Sequence, residues 1–183
     1  MPACSLWTRL ARLGAVVAAA AWPLVAGAAP TGAAEVARIA DRSVLPFAVL
    51  QGQPDMSAGQ GMGYWLWHDD DGIHLRTTTR GREHIFSGVL RTGENAQFTD
   101  VQEVRLDHRH HNQDGVVTSD DGRTIRFHFH TWDGTDGIDF RLDGRALCVD
   151  LANNGHEAVA SVHLGRFEVM PSDLPVCFRR QEQ

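Results

Sequence analysis

The chain has no lysine: all 17 of its basic residues are arginine. That one-sided choice is a compositional bias. With 23 acidic residues it leaves a formal charge of −6. A surface of that sign argues against sequence-independent binding to nucleic acid, which needs basic groups to neutralise phosphates. It argues equally against docking on anionic lipid. Apolar runs long enough to span a bilayer, about 20 residues, are missing; the longest lies near the N-terminus and is broken by Trp22 and Pro23. There is no phosphate-binding loop, no dinucleotide fingerprint and no Gly-x-Ser-x-Gly elbow. Ser87 precedes Gly88 and Ser119 lies beside Asp120, but neither has a nucleophile's surroundings. No residue is nominated as catalytic, and enzyme is the least favoured function class.

What is present begins with an export signal. Arg9 and Arg12 form a positive n-region, Leu13 to Ala21 an apolar h-region, and Ala26-Gly27-Ala28 a small-x-small cleavage site. Residues 1–28 therefore read as a signal peptide, and the destination as periplasmic or secreted. A lipid anchor would need a cysteine just after the h-region, and Cys4 lies before it, so no stable membrane anchor is expected. Loss of the leader removes two arginines and takes the formal charge to about −8. Roughly 155 residues remain, enough for one self-sufficient core. Of the three cysteines, Cys148 and Cys177 stay; in an oxidising compartment they are expected to form a disulfide.

Residues 29–62 read as a tether. Gly32 to Val44 could form a short helix limited by Pro46, and the Gly-rich stretch beyond it cannot bury enough apolar surface to fold alone. Residues 63–180 are different. Asp-Gly and Asn-Gly turn signals recur every 8–12 residues, as at Asp71-Gly72, Asp121-Gly122, Asp143-Gly144 and Asn154-Gly155. Between such signals lie aromatic and β-branched runs, which predict strands at 64–68, 73–79, 83–91, 97–106, 115–119, 123–132, 137–142, 145–151 and 159–167. Ile125, Phe127 and Phe129 alternate with Arg126, His128 and His130; Ile138, Phe140 and Leu142 alternate with Asp139, Arg141 and Asp143. The expected fold is all-β: an antiparallel up-and-down meander of about eight or nine strands, closed into a lipocalin-like barrel because closure removes sheet edges. A β-sandwich is the alternative.

The stretches Gly63-Tyr64-Trp65-Leu66-Trp67, Gly72-Ile73-His74-Leu75-Arg76-Thr77-Thr78, His84-Ile85-Phe86-Ser87-Gly88 and Asp136-Gly137-Ile138-Asp139-Phe140-Arg141 resemble a family of small exported bacterial β-domain proteins without assigned activity. The Gly-x-Trp opening is also similar to that of lipocalins (calycins), where a Trp on the first strand closes one barrel end. These resemblances imply export and an all-β fold. They carry over no functional residue.

Three groups of residues could carry chemistry. His128 and His130 share a strand face at i and i+2. A hairpin through Asp133–Asp136 would set His130 opposite Asp139 and His128 opposite Arg141. With Asp139, and with His108, His110 and His111 in a loop, they are candidate ligands for Zn or Cu, which imidazole suits. The competing expectation is a solvated outer face. Asp69-Asp70-Asp71 and Asp133–Asp139 have the density of calcium loops but lack the terminal Glu, and read as turns. Trp65 and Trp67 share one face of the first strand and, with Trp132 at a barrel mouth, could line a cavity for a small apolar ligand. The function expected from the sequence is thus a non-enzymatic binding domain for a small apolar ligand or a protein partner, with transition-metal binding as the alternative.

Overall fold

Apolar residues that alternate with polar ones suit a pleated strand with one face in a core. Residues 124–129 follow that rule: Ile125, Phe127 and Phe129 are buried while Arg126 is exposed, and only beyond them do His130 and Thr131 become buried as well. Ile138, Phe140 and Leu142 do the same, as do Leu147, Val149 and Leu151. A computed structural model describes residues 37–38, 44–56, 62–107, 114–153, 161–169 and 173–181. Residues 1–28, read above as a signal peptide, lie outside the described residues.

The strands are β1 (Ala37–Arg38), β2 (Leu45–Pro46), β3 (Met62–His68), β4 (Ile73–Thr79), β5 (Glu83–Thr92), β6 (Gln97–Arg105), β7 (Gly115–Thr118), β8 (Thr124–Trp132), β9 (Thr135–Asp143), β10 (Ala146–Asn153), β11 (Ser161–Leu164), β12 (Phe167–Val169) and β13 (Val176–Arg179). Each of the nine predicted strands has a counterpart. The ninth divides at Gly165 into the β11–β12 hairpin, and β1, β2 and β13 are additional. One sheet has seven strands in the order β1-β12-β11-β3-β4-β9-β6; the other has six, β2-β13-β10-β5-β8-β7. Pairing is antiparallel except for the parallel pairs β1/β12, β11/β3 and β2/β13, so both sheets are mixed.

The chain is all-β and sandwich-like; the closed up-and-down barrel is not formed. Successive strands stay neighbours only in the pairs β3/β4, β7/β8 and β11/β12 among the described residues. β4 pairs with β3 and β9, whereas β5 enters the other sheet between β8 and β10. Alternation dictates which side chains are buried, but not which strand lies alongside. The edges that closure would have removed are managed otherwise. β1 and β2 are two residues long, β7 is four, and β6 is interrupted by a bulge between Thr99 and Gln102.

One apolar cluster joins the inward faces of both sheets, among them Tyr64, Leu66, Leu75, Ile138 and Phe140 from the first and Phe86, Leu90, Ile125, Phe127 and Phe129 from the second. The chain's single tyrosine, Tyr64, spans the two. Its ring meets Phe86 edge-on at 4.9 Å, and its hydroxyl donates to the Ser87 carbonyl at 3.0 Å and accepts from the Ser87 amide at 3.1 Å. Farther along, the Thr77 and Thr131 hydroxyls meet across the sheets at 2.8 Å.

The segment read as a tether is partly built into the domain. Ala37–Arg38, expected within a helix, instead extends the seven-stranded sheet, and Leu45–Pro46 extends the other. A single 3-10 turn, Phe47–Leu50, follows and puts Phe47 and Leu50 into the core. The β11–β12 turn passes so close to it that a Cβ on Gly165, whose φ is +60°, would collide with the Val49 carbonyl oxygen. A sheet edge offers unpaired amides and carbonyls, and that pairing wins over the modest helix preference of a short alanine-rich stretch.

Cys148 and Cys177 stand directly opposite each other on β10 and β13 with their sulfurs at disulfide distance. Among the described residues no helix is long and apolar enough to cross a membrane. A cross-link over 29 residues restricts the unfolded chain, so Cys148→Ala/Cys177→Ala should lower the unfolding free energy by about 3 kcal/mol. Guanidinium melts of the oxidised protein and the variant measure this, and coincident melts would remove the cross-link from the account.

Candidate functional site

The β3–β4 turn is tied by one carboxylate. Asp69 Oδ1 accepts from the backbone N–H groups of Asp71 at 2.9 Å and Gly72 at 3.3 Å, the local turn chemistry that a short acidic side chain supplies. The same oxygen lies 2.9 Å from Nε2 of His74. Strand register sets Asp139 of β9 opposite His74, and its Oδ1 is 2.7 Å from His74 Nδ1. Arg76 Nη1 reaches Asp139 at 2.7 Å and donates to the carbonyls of Leu75 and Ile138. Gly137 makes room for it: a Cβ there would lie 2.8 Å from Arg76 Cδ and would collide with the Leu75 carbonyl oxygen. The Trp67 ring closes the group, stacked on His74 at 5.1 Å with the Arg76 guanidinium 5.4 Å from its centroid.

The electrostatics follow from these contacts. The His74 hydrogen bond, aided by the Asp71 and Gly72 amides, holds the Asp69 carboxyl below its usual range despite some burial. Burial opposes ionisation of Asp139, but Arg76 and His74 outweigh it and its pKa is also lowered. A carboxylate oxygen thus stands against each ring nitrogen of His74.

Four clefts gather at this end of the sandwich. One, of about 290 Å³, is walled by Asp71, His74, Asp100, Gln102, Asp139 and Arg141. A second, of about 380 Å³, lies on the other side of the same turn, between Asp69–Asp71, His68, Phe47 and Arg180. Burial, with a contribution from Arg180, holds the His68 imidazole below its usual pKa. Two more, of about 600 and 590 Å³, flank the turn after β9 and share Arg145 and Arg180.

The residues singled out from the sequence are dispersed. Trp65 and Trp67 lie on the face of β3 opposite the core cluster, so they line no interior; both are nevertheless buried. Trp65 stacks on His163 at 4.0 Å and donates to the Thr78 hydroxyl at 2.9 Å. Trp132 is half-buried at the end of β8, its amide bonded to Asp107. β8 and β9 belong to different sheets, so the expected hairpin is not formed: His130 pairs with Ile85 and Asp139 with His74. The His128 and His130 rings are 4.9 Å apart, and Asp114 accepts from the backbone amide of His130 and contacts its Nδ1 at 2.8 Å. His108, His110 and His111 lie outside the described residues. Among the described residues no three His, Cys, Asp or Glu side chains converge as a metal centre requires. No local pattern marks His74, because its site exists only through the pairing of β4 with β9, which joins residues 65 apart. The one local clue was Asp69, five positions before His74 across a tight turn.

No protein-family model matches the chain, and no curated protein or solved structure does.

At the opposite end of the sandwich, the turn between β8 and β9 leads into a second polar group. Asp136 faces inward, 3% exposed, and among the described residues its Oδ2 has no hydrogen-bond partner. Burial pushes its carboxyl up to about 6, and the nearby carboxylates of Asp107, Asp114 and Glu103 add to the rise while a Thr131 hydrogen bond opposes it. A carboxyl that is harder to ionise in the folded chain favours folding while it is protonated. That contribution is complete below about pH 4 and is lost as pH rises to about 6. Asp136→Asn should therefore leave stability unchanged near pH 4 and raise it by about 1–3 kcal/mol above pH 7. Denaturant melts across that range check this, and a variant no more stable than wild type at pH 7.5 would show Asp136 to be stably ionised.

Proposed function

We propose that the chain is an exported, non-enzymatic binding domain that takes a cationic partner segment in the acidic cleft beside His74. The observation that carries this reading is the brace of Asp69, His74, Asp139 and Arg76 at the cleft wall. The two carboxylates and the guanidinium are fixed by contacts between 2.7 and 2.9 Å, so their order is already present before a partner arrives. Asp69 and Asp139 stay partly accessible, at 44% and 35%, Asp70 and Asp71 add exposed negative charge around them, and Asp100 lies across the cleft 3.7 Å from Arg141. A guanidinium or ammonium group on a partner protein would meet several carboxylate acceptors in one place.

The chemistry of the site favours binding over catalysis. No Ser, Thr or Cys is among the residues walling the two clefts at the turn, so no hydroxyl or thiol nucleophile is within them. Asp69 and Asp139 both have lowered pKa values, so neither holds the proton that a general acid must deliver near neutral pH. The apolar-ligand branch of the expectation loses its interior cavity, because Trp65 and Trp67 face away from the core. Export is supported by the leader pattern of residues 1–28 and by the Cys148–Cys177 pair.

Titration calorimetry of the mature chain with an arginine-rich hexapeptide at low salt tests the proposal. Asp70→Asn/Asp71→Asn should weaken binding about tenfold, and Glu83→Gln/Asp133→Asn, exposed at the opposite end of the sandwich, should not. Equal losses in the two variants would mean that only overall charge is read, and the site would be discarded.

A further inference from the structure

Although the chain is acidic overall, one groove on it is lined by three arginines and no carboxylate. It measures about 600 Å³, within the range of small-molecule sites. Its floor is laid down by strand register. Pro46 of β2, Arg179 of β13 and Ala146 of β10 sit side by side across three adjacent strands. Two residues along β10 and β13, the Cys148–Cys177 pair joins the two strands beneath it. Val44, 56% exposed, and half-buried Leu45 extend the apolar part. Arg145 and Arg180 complete the wall, and Arg180 is steadied over the Phe47 ring at 4.8 Å.

Arg179 and Arg180 have no carboxylate partner among the described residues, although the chain has more acidic than basic groups to supply one. An exposed valine beside the Arg179 and Arg180 guanidiniums suits a ligand with an apolar body and one negatively charged end. A carboxylate matches the planar guanidinium with two parallel hydrogen bonds, and the apolar body would cover Val44, Pro46 and Ala146. We infer that this groove binds a free single-chain amphipathic carboxylate. The groove shares Arg180 with the cleft at Asp69–Asp71 but no residue with the cleft that holds His74, and it does not depend on the reading of that site.

The test is calorimetric titration of the oxidised mature chain with dodecanoate below its micellar range. Saturable binding of one dodecanoate per chain is expected, about tenfold weaker in Arg179→Gln and again in Val44→Asp. Both positions are exposed, and matched near-ultraviolet circular dichroism checks that each variant keeps its fold. Dodecanol should bind far more weakly than dodecanoate, and vesicles of phosphatidylglycerol should not bind. Dodecanol binding as tightly, capture by the vesicles without saturable dodecanoate binding, or undiminished affinity in both folded variants would each overturn the inference.

Discussion

A phenol hydroxyl that crosses the interior from one sheet to the other holds the two halves of this protein in register. Tyr64 stands on β3, yet its oxygen bonds both the carbonyl and the amide of Ser87 on β5. That exchange satisfies two backbone groups on the facing sheet, and leaving such groups unpaired in an interior costs about 1–3 kcal/mol each. Around it pack Phe86, Phe127 and the aliphatic residues of both inward faces. With that layer in place, β3 and β4 present their other face outward, and it is this outer face that bears Trp67, His74 and Arg76.

The consequence is a division of labour along the sandwich. At one end, turns after β3 and β9 surround clefts with charged groups whose partners lie on strands far apart in sequence. At the other, Asp136 is driven inward near Asp107, Asp114 and Glu103, an arrangement that costs stability at neutral pH. Hydrophobic packing in the middle must offset that cost, and the cross-link between β10 and β13 adds to it.

Much of this was legible in the residues alone. Strands β4, β8, β9 and β10 alternate so regularly that their inward faces can be read from periodicity, and Cys148 and Cys177 were the natural pair. β3 was not legible in the same way. Tyr64, Trp65, Leu66 and Trp67 are all buried, on both faces, so alternation carries no sign of which pair meets the core. Nor does any local pattern say that β8 and β9 part company at Asp133–Gly134, which is what separates Asp139 from His130 and brings it to His74. The edge strands β1 and β2 are too short to announce themselves at all; they exist because a neighbouring strand offers hydrogen bonds. Local chemistry thus specified the elements, and non-local pairing specified the site.

Because Tyr64 is the only tyrosine, its ionisation can be followed without interference by absorbance near 295 nm during an alkaline titration. Burial pushes this phenol well above its ordinary range, opposed only in part by the Ser87 hydrogen bond. The account predicts no tyrosinate signal at pH 10–11 while near-ultraviolet circular dichroism shows the fold intact, followed by ionisation and loss of tertiary structure together. A phenol that titrates near pH 10 in the folded chain would contradict it, because Tyr64 would then face water and the two sheets would not be joined as described.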